Sequence, residues 1–211
     1  MEEMNMIDYL KLRQLMDGIA AEMSVQKKAL IELDQKTGDG DLGISMADGF
    51  AAASAAVRTS SEKDLGKLFM IASKAMNEAA PSSLGTIMSL LMMGMAKSLK
   101  GNENAEMPII IAAFENGIGL IESRTGSIPG EKTMLDALVP AILAMRENEN
   151  QESKVILQKA ADAADVGAES TKEMKAVHGR AAYYGDKTIG LLDGGAVTVK
   201  YIFGAIAKQF C

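Results

Sequence analysis

Three aspartates stand close together in the segment DQKTGDGDLG: Asp34, Asp39 and Asp41. Asp34 ends a stretch with helical spacing and precedes Asp39 by five residues, a separation of about 140° around an ideal helix. Because Gly38 and Gly40 favour a break in the helix, we expect the carboxylates to converge in a loop. Clustered carboxylates repel one another unless a cation lies among them, and oxygen ligands suit Mg²⁺ or Ca²⁺. The segment therefore predicts a divalent-cation site, with a solvated acidic turn that caps the next helix as the alternative.

Two familiar loop motifs do not account for this segment. An EF-hand loop that begins at Asp39 requires Asp or Asn at position 43 and Glu at position 50, where the chain has Gly43 and Phe50. Gly38, Gly40 and Gly43 match the dinucleotide pattern GxGxxG, but a helical stretch precedes them where that pattern needs a strand. Aspartates inside the loop would repel a pyrophosphate unless a divalent ion bridges the two. The loop therefore favours a metal-nucleotide complex over a bare phosphate.

Glycine, an acidic residue, lysine and threonine recur in the same order in GEKTM, residues 130–134, and in GDKTI, residues 185–189. Neither segment is a P-loop, which requires GxxxxGK followed by Ser or Thr. Each places backbone amides, a hydroxyl and a cation where we expect the beginning of a helix or a tight turn, which suits a phosphate. A plain helix cap explains the first copy equally well.

Other candidate residues lie in two further loops. Arg180 follows Gly179 and precedes the segment DGGA that begins at Asp193, so it is predicted either to clamp a phosphate or to pair with Asp193. Ser82 and Ser83 offer hydroxyls at the head of a Met-rich helix, where an ordinary N-cap is the alternative.

His178 is the only histidine in the chain. It has no Ser-x-Gly elbow or reactive cysteine nearby, so we predict a surface or capping role for it. The absence of a second histidine excludes a metal site built from several imidazoles.

The residues between these motifs favour helix almost everywhere, because Ala, Met, Leu, Lys and Glu dominate. Apolar spacing predicts one long helix or two consecutive helices up to Asp34. Seven further helices are predicted at about 44–57, 64–79, 84–99, 106–122, 132–145, 152–174 and 196–208. Residues 196–203 could form a strand by propensity, but an isolated strand has no partner, so helix is favoured. Ser61 and Asp64 resemble a capping box, and methionines such as Met88 and Met93 are expected in the core.

The composition narrows the class of protein. The 211 residues suggest one domain over 1–211, and the net charge of -6 argues against binding to a nucleic-acid backbone. The longest apolar stretch, residues 84–96, is shorter than the ~20 residues that cross a bilayer. The only cysteine is Cys211, so no internal disulfide or thiolate metal site is possible, and the N-terminus is acidic where a secretory signal is basic. We therefore expect a cytoplasmic protein with neither a nucleic-acid nor a membrane partner.

In chain order, the segments LDQKTGDGDLGISM, APSSLGT, PGEKTMLDAL and GRAAYYGDKTIGLLDGGA resemble the L subunit of the phosphoenolpyruvate-dependent dihydroxyacetone kinases. The same nucleotide-binding family forms the second domain of ATP-dependent dihydroxyacetone kinases. Four motifs in the correct order, spread over nearly the whole chain, make the resemblance specific. It implies an all-α antiparallel barrel of eight helices with the nucleotide and metal site in the loops at one end.

The resemblance also implies roles for individual residues. Asp34, Asp39 and Asp41 match carboxylates that hold two Mg²⁺ ions against the phosphates of ADP or ATP. The positions that match nucleotide contacts are Gly43, Ser45, Ser82, Ser83, Thr133, Met134, Arg180, Asp193 and Gly194. In this family the nucleotide stays bound as a cofactor, and a phosphocarrier of the PTS type rephosphorylates ADP in place. ATP then phosphorylates a ketose held on a histidine of a separate K subunit.

The chain departs from the family pattern at several positions. Leu42 stands where many members have His, and Ser45 stands where they have Asn; APSS replaces a GASG turn and DGG replaces DPG. The favoured interpretation is a phosphotransferase subunit that acts with a ketose-binding K subunit and a phosphocarrier, with a homodimer as one open oligomeric state. The alternatives are a non-catalytic Mg-nucleotide sensor that binds a regulatory partner, and a structural helical bundle.

Overall fold

The structure is a computed structural model that describes residues 6–210, and these residues form eight α-helices. The helices are α1 Tyr9–Asp34, α2 Leu42–Thr59, α3 Leu65–Ala79, α4 Ser83–Leu99, α5 Met107–Thr125, α6 Leu135–Glu147, α7 Ser153–Ser170 and α8 Gly194–Lys208. Short 3₁₀ segments occupy Thr171–Glu173 and Arg180–Thr188. The predicted all-α class is confirmed, and residues 196–203 are helical. Within residues 6–210, no helix combines the length and apolar character needed to span a membrane.

The helices form a closed up-and-down barrel. Each helix packs against the next along the chain, and α8 packs against α1 to complete the ring. Because the neighbours are antiparallel, the connections that follow α1, α3, α5 and α7 all lie at the same end of the barrel. This end, which we call the loop end, carries all the candidate metal-binding and phosphate-binding motifs of the sequence.

A small sheet that was not predicted lies at the opposite end. Strand β1, Met6–Asp8, pairs antiparallel with β2, Asn104–Glu106, and Ile7 faces Ala105. The pair joins the beginnings of α1 and α5, which are not neighbours in the ring. Ile7 and Ala105 are both buried, so the sheet adds to the core as well as linking the two helices.

Methionines fill much of the barrel interior, as predicted. Met88, Met92 and Met95 of α4 are each at most 5% exposed, but the core prediction is wrong for Met93, which is 40% exposed. The interior encloses an apolar cavity of about 100 Å³ lined by Met, Leu, Ile and Phe side chains. Flexible methionines suit such an interior because they fill irregular space where aromatic residues are few.

Aspartate side chains cap the N-termini of α1 and α3. Asp8 accepts from Lys11 N (2.7 Å) at α1, and Asp64 accepts from Lys67 N (3.0 Å) at α3. The predicted capping box of Ser61 and Asp64 is wrong, because Asp64 is itself the N-cap residue. Its second oxygen accepts from Gly101 N (2.7 Å), which ties α3 to the end of α4.

Asp193 is the N-cap residue of helix α8, and its carboxylate accepts from Ala196 N (2.8 Å). Burial raises the pKa of this carboxyl to about 6, although the cap hydrogen bond and the charge of Lys132 act in the opposite direction. The start of the helix that closes the ring therefore contains a titratable group with a strongly displaced pKa.

Two glycines allow α4 and α5 to approach closely. A Cβ at Gly94 would lie 2.5 Å from Gly117 Cα and 2.9 Å from Asn116 O, both of which are backbone atoms of α5.

Gly94→Ala is therefore expected to lower the free energy of unfolding by about 1–3 kcal/mol, since the helices must separate. Urea denaturation measures this change.

The matched control is Gly119→Ala in α5, where a Cβ would meet nothing within 4 Å. This variant should be as stable as the unaltered protein, or up to about 1 kcal/mol more stable, because alanine is the better helix former. Equal stabilities of the two variants would contradict the packing argument.

The displaced pKa of Asp193 predicts a pH dependence of stability. The folded-state pKa lies above the ordinary value of 3.8, so the folded protein binds more protons than the unfolded chain between these values. The contribution of Asp193 to the free energy of unfolding should therefore fall by about 3 kcal/mol as the pH rises from about 3 to about 7. Asp193→Asn keeps a cap but removes the titration. Denaturation of the unaltered protein and of Asp193→Asn, each in the presence of a chelator, should show their difference in free energy of unfolding changing by this amount over the same pH range. A difference that does not depend on pH would contradict the displaced pKa of Asp193.

Candidate metal and nucleotide site

Three loops of the loop end contact one another directly. Arg180, in the connection from α7 to α8, pairs with Asp39 in the connection from α1 to α2 (Nη2 to Oδ2, 2.7 Å). A Cβ at Gly195 would lie 3.2 Å from Met134 Cβ, so the start of α8 also packs on the start of α6. The turn that contains Ser82 lies at this end because α3 finishes and α4 begins there. The predicted motifs are therefore gathered at one end of the barrel.

The loop after α1 brings the three aspartates together. Each of Asp34, Asp39 and Asp41 offers a carboxylate oxygen, and these oxygens lie within 4.8 Å of one another. Among residues 6–210, this is the one group of three or more acidic, histidine or cysteine side chains arranged to hold a metal ion. We call these three residues the carboxylate cluster.

Two glycines shape this loop. Gly40 has a φ of 79°, in the left-handed region that favours glycine, and its N–H donates to Asp34 Oδ2 (2.7 Å). A Cβ at Gly38 would overlap the carboxylate of Asp34. The break predicted from these glycines is confirmed, and it turns the chain back so that Asp41 becomes the N-cap residue of α2.

Electrostatic repulsion within the cluster is evident at Asp41. The pKa of its carboxyl is raised by partial desolvation and then by the negative charges of Asp39 and Asp34, while Arg180 acts in the opposite direction. Three acidic groups thus face one cationic side chain. The all-oxygen donor set and the surplus of negative charge fit a hard divalent cation such as Mg²⁺.

Arg180 pairs with Asp39 and not with Asp193. The predicted alternative of an Arg180–Asp193 pair is wrong, because Asp193 points into the protein and caps α8. The side chain of Arg180 is 68% exposed. Its guanidinium group can therefore still bind an anion beside the carboxylate cluster.

The first turn of α2 is packed tightly against its neighbours. Gly43 lies against α1, where a Cβ would overlap the backbone oxygen of Lys27. Ser45 is 8% exposed, and its N–H donates to Asp41 O (2.9 Å). Leu42, which departs from the family pattern, is buried, and a Cβ at Gly194 would overlap it. Helix packing alone thus explains why glycine is required at positions 43 and 194. The contacts of Gly43 and Gly194 with a nucleotide stay a prediction.

The Ser82 turn begins α4 as an N-cap. Ser82 Oγ accepts from Gly85 N (3.1 Å), and Ser83, the first helical residue, is exposed. A Cβ at Gly85 would overlap Ala80 O, which keeps the turn tight. The exposed hydroxyl of Ser83 can still contact a ligand at the loop end.

The GEKTM segment is folded differently from the prediction. Lys132 is 6% exposed and donates from Nζ to Thr171 O and Leu191 O, so its ammonium group is not available to a phosphate. Burial lowers the pKa of Lys132. The lysine instead ties the loop before α6 to both ends of the connection that precedes α8.

An aspartate that the sequence analysis did not select shapes the same loop. Asp136 is 4% exposed, and its two carboxylate oxygens accept from Gly130 N and from Thr133 N (2.6 Å). Thr133 is half-buried and Met134, the N-cap residue of α6, is buried against Gly195. The spacing of Thr133 and Asp136 is one that favours side-chain capping of a helix start, a signal present in the sequence.

The second copy, GDKTI, is used within its own loop. Thr188 is fully buried; its Oγ1 donates to Gly185 O (2.8 Å) and accepts from Ala176 N (3.0 Å). Asp186 pairs with Lys175 (2.8 Å). The threonine and the acidic residue of this copy therefore hold the loop closed, contrary to the predicted anion site.

His178 also takes part in a contact that was not predicted. Its Nε2–H donates to Glu131 Oε2 (2.6 Å), which joins the loop before α6 to the connection before α8. The side chain of His178 is 35% exposed, so the role is neither a simple surface position nor a helix cap.

Comparison with known proteins agrees with this geometry. The DAK2 domain family matches residues 36–208. The ADP-binding subunit DhaL of PEP-dependent dihydroxyacetone kinase 1 from Listeria innocua is 31% identical over 86% of this chain and 87% of its own length. The corresponding DhaL subunit from Escherichia coli is 27% identical over 87% of this chain and 89% of its own length.

A solved structure has the same fold. The dihydroxyacetone kinase from C. freundii in complex with AMP-PNP and Mg²⁺ matches with a TM-score of 0.75 at 25% identity, over 93% of this chain and 33% of that kinase. The chain thus corresponds to one part of a larger enzyme in that case and to nearly a whole subunit in the two others. The resemblance predicted from the four motifs is confirmed, and the chain belongs to the DAK2 domain family.

Proposed function

We propose that the chain is the ADP/ATP-binding phosphotransferase subunit of a dihydroxyacetone kinase complex. The carboxylate cluster, with Arg180 bound to one of its members at the exposed loop end, is the observation that carries this proposal. The names of the L. innocua and E. coli relatives, and the Mg²⁺ and AMP-PNP in the C. freundii structure, support it. In this proposal the phosphoryl group passes from a PTS-type phosphocarrier to dihydroxyacetone or a related short ketose on a K subunit.

Asp34, Asp39 and Asp41 would hold two Mg²⁺ ions in this proposal. When bound, the Mg-nucleotide supplies the phosphoryl group and neutralises the charge that develops on it. Asp34 is oriented by the N–H of Gly40, while Asp39 and Asp41 are exposed and can turn toward a cation. Partial desolvation and then the charges of Asp39 and Asp34 raise the pKa of Asp41, and a divalent cation would relieve the repulsion among these charges.

The rest of the loop end would hold the nucleotide. Helices α2, α4, α6 and α8 all begin there, and N–H groups in the first turn of a helix lack intrahelical acceptors and suit phosphate oxygens. The side chains and backbone positions assigned to these contacts are Gly43, Ser45, Ser82, Ser83, Thr133, Met134, Arg180, Asp193 and Gly194. Arg180 would offer its exposed guanidinium to a phosphate, a planar group well suited to two oxygens.

The proposed partners follow from the exposed position of the cluster. A ketose on a K subunit and a phosphocarrier must both reach the same phosphoryl group, and Asp39, Asp41 and Arg180 are all exposed at the loop end. A cytoplasmic location is part of the proposal, in agreement with the single cysteine of the chain.

Asp39→Ala should abolish measurable Mg-ADP binding, a loss of more than about 100-fold in affinity, because one of three cation ligands is removed. Asp39 is exposed and its ion pair is with Arg180, so the variant should fold normally. Isothermal titration calorimetry measures the affinity, and thermal unfolding checks the fold.

The matched control for this variant is Asp186→Ala. Asp186 is an exposed aspartate near the same end, and it pairs with Lys175 outside the carboxylate cluster. This control should bind Mg-ADP as the unaltered protein does. Equal affinity in the Asp39 and Asp186 variants would rule out the metal assignment.

A reconstituted reaction tests the catalytic part of the proposal. The purified chain, mixed with Mg-ATP, dihydroxyacetone and a cognate K subunit, should convert ATP to ADP with one phosphorylated ketose formed per ATP. Phosphate transfer followed by ³¹P NMR measures this ratio. Tight binding of ATP without any transfer would instead indicate a nucleotide sensor.

A further inference from the structure

The segment between the last 3₁₀ turn of α7 and the start of α8, residues 174–193, carries Arg180 and contains no α-helix. We call it the Arg180 loop. Its backbone turns at Gly179, with a φ of 66°, immediately before Arg180. A single glycine therefore separates Arg180 from His178, and the position of one depends on the position of the other.

The second half of this loop is well anchored. Gly190 N donates to Lys172 O (2.7 Å), and Asp193 N donates to Thr171 Oγ1 (3.0 Å). Lys132 adds a bond to Leu191 O. These contacts fix the end of the loop that leads into α8, several residues away from Arg180.

The first half of the loop is tied to the barrel through Glu131. The backbone oxygen of Glu131 accepts from Val177 N (3.3 Å), and its carboxylate accepts from His178 Nε2 (2.6 Å). The same carboxylate accepts from Ile128 N (2.9 Å), which fixes the side chain of Glu131 within its own loop. These bonds to Ile128 and His178 lower the pKa of Glu131, so it is a carboxylate at neutral pH.

We propose that His178 and Glu131 form a positioning pair that holds the Arg180 loop over the carboxylate cluster. Arg180 reaches Asp39 from a backbone that is fixed two residues earlier by this pair. The hydrogen bonds of the pair are to each other, to Ile128 and to Val177, and none is to a residue of the carboxylate cluster, so the pair acts through Arg180. The inference rests on the proposed function in one respect: it takes a correctly placed Arg180 to strengthen Mg-nucleotide binding.

A double-mutant cycle tests this inference. His178→Ala should weaken Mg-ADP binding about fivefold, the size expected for the net loss of one ordinary hydrogen bond at a partly exposed site. In the Arg180→Ala background the same change should have no further effect, because the residue that His178 positions is already absent. Calorimetry of the four proteins gives both values. An equal loss in the two backgrounds would overturn the inference, since a general structural effect does not depend on Arg180.

Two further variants separate positioning from damage to the fold. His178→Gln keeps an N–H donor that can reach Glu131, so its affinity should stay within about twofold of the unaltered protein. Lys175→Gln breaks the ion pair with Asp186 inside the same loop and should leave the affinity unchanged. A loss in Lys175→Gln as large as that in His178→Ala would contradict a specific role for the pair.

Limited trypsin digestion provides a readout that needs no nucleotide. Cleavage after Arg180 should be about fivefold faster in His178→Ala than in the unaltered protein, because the loop opens more often. The same rate in both would overturn the inference whatever the binding data show. Absence of Mg-ADP binding by the unaltered protein would instead overturn the proposed function, while the digestion still decides whether the pair holds the loop.

Discussion

Repulsion among the three carboxylates is the physical constraint around which the loop end is organised. A loop whose glycines permit the turn holds carboxylate oxygens of Asp34, Asp39 and Asp41 within 4.8 Å of one another. Partial desolvation and then the charges of Asp39 and Asp34 raise the pKa of Asp41. One guanidinium, that of Arg180, contacts the group and compensates part of its charge. A ligand that binds such a cluster in the folded protein and not in the unfolded chain also stabilises the fold. The carboxylates thus repel one another, and a bound divalent cation would offset that repulsion.

The barrel topology determines where the loops lie relative to the carboxylate cluster. Eight antiparallel helices bring four connections to one end, and close contacts such as those of Gly43 with α1 and Gly94 with α5 keep the ring tight. The β1–β2 pair links the helices at the other end, away from the cluster. Loops that carry the chemistry are therefore free to vary in sequence while the helices that position them are fixed by packing.

Much of this architecture is readable from the sequence because it depends on local signals. Helical spacing and composition predict the eight helices, and two glycines between Asp34 and Asp41 predict the break that gathers the carboxylates. What the sequence did not reveal depends on contacts between distant residues. Strand β1 has only three residues and its partner lies almost a hundred residues away, so neither strand has a recognisable pattern of its own.

The same contrast between local signals and long-range contacts holds for the polar residues. Lys132 has the spacing of a phosphate ligand, yet it is buried between two carbonyl oxygens that belong to a different loop. The partners of Arg180 and His178, 141 and 47 positions away along the chain, follow from the way the loops stack. Residue type indicated which side chains could do chemistry, and tertiary packing decided which of them face the site.

We expect this end of the barrel to bind a nucleotide through a divalent cation held by the carboxylates. Calorimetric titration of the unaltered protein with ADP, once with Mg²⁺ and once with excess EDTA, tests it most directly. We expect saturable binding with Mg²⁺ and at least about a 100-fold loss of affinity in EDTA. Equal affinity for ADP in both conditions, or no binding in either, would contradict it.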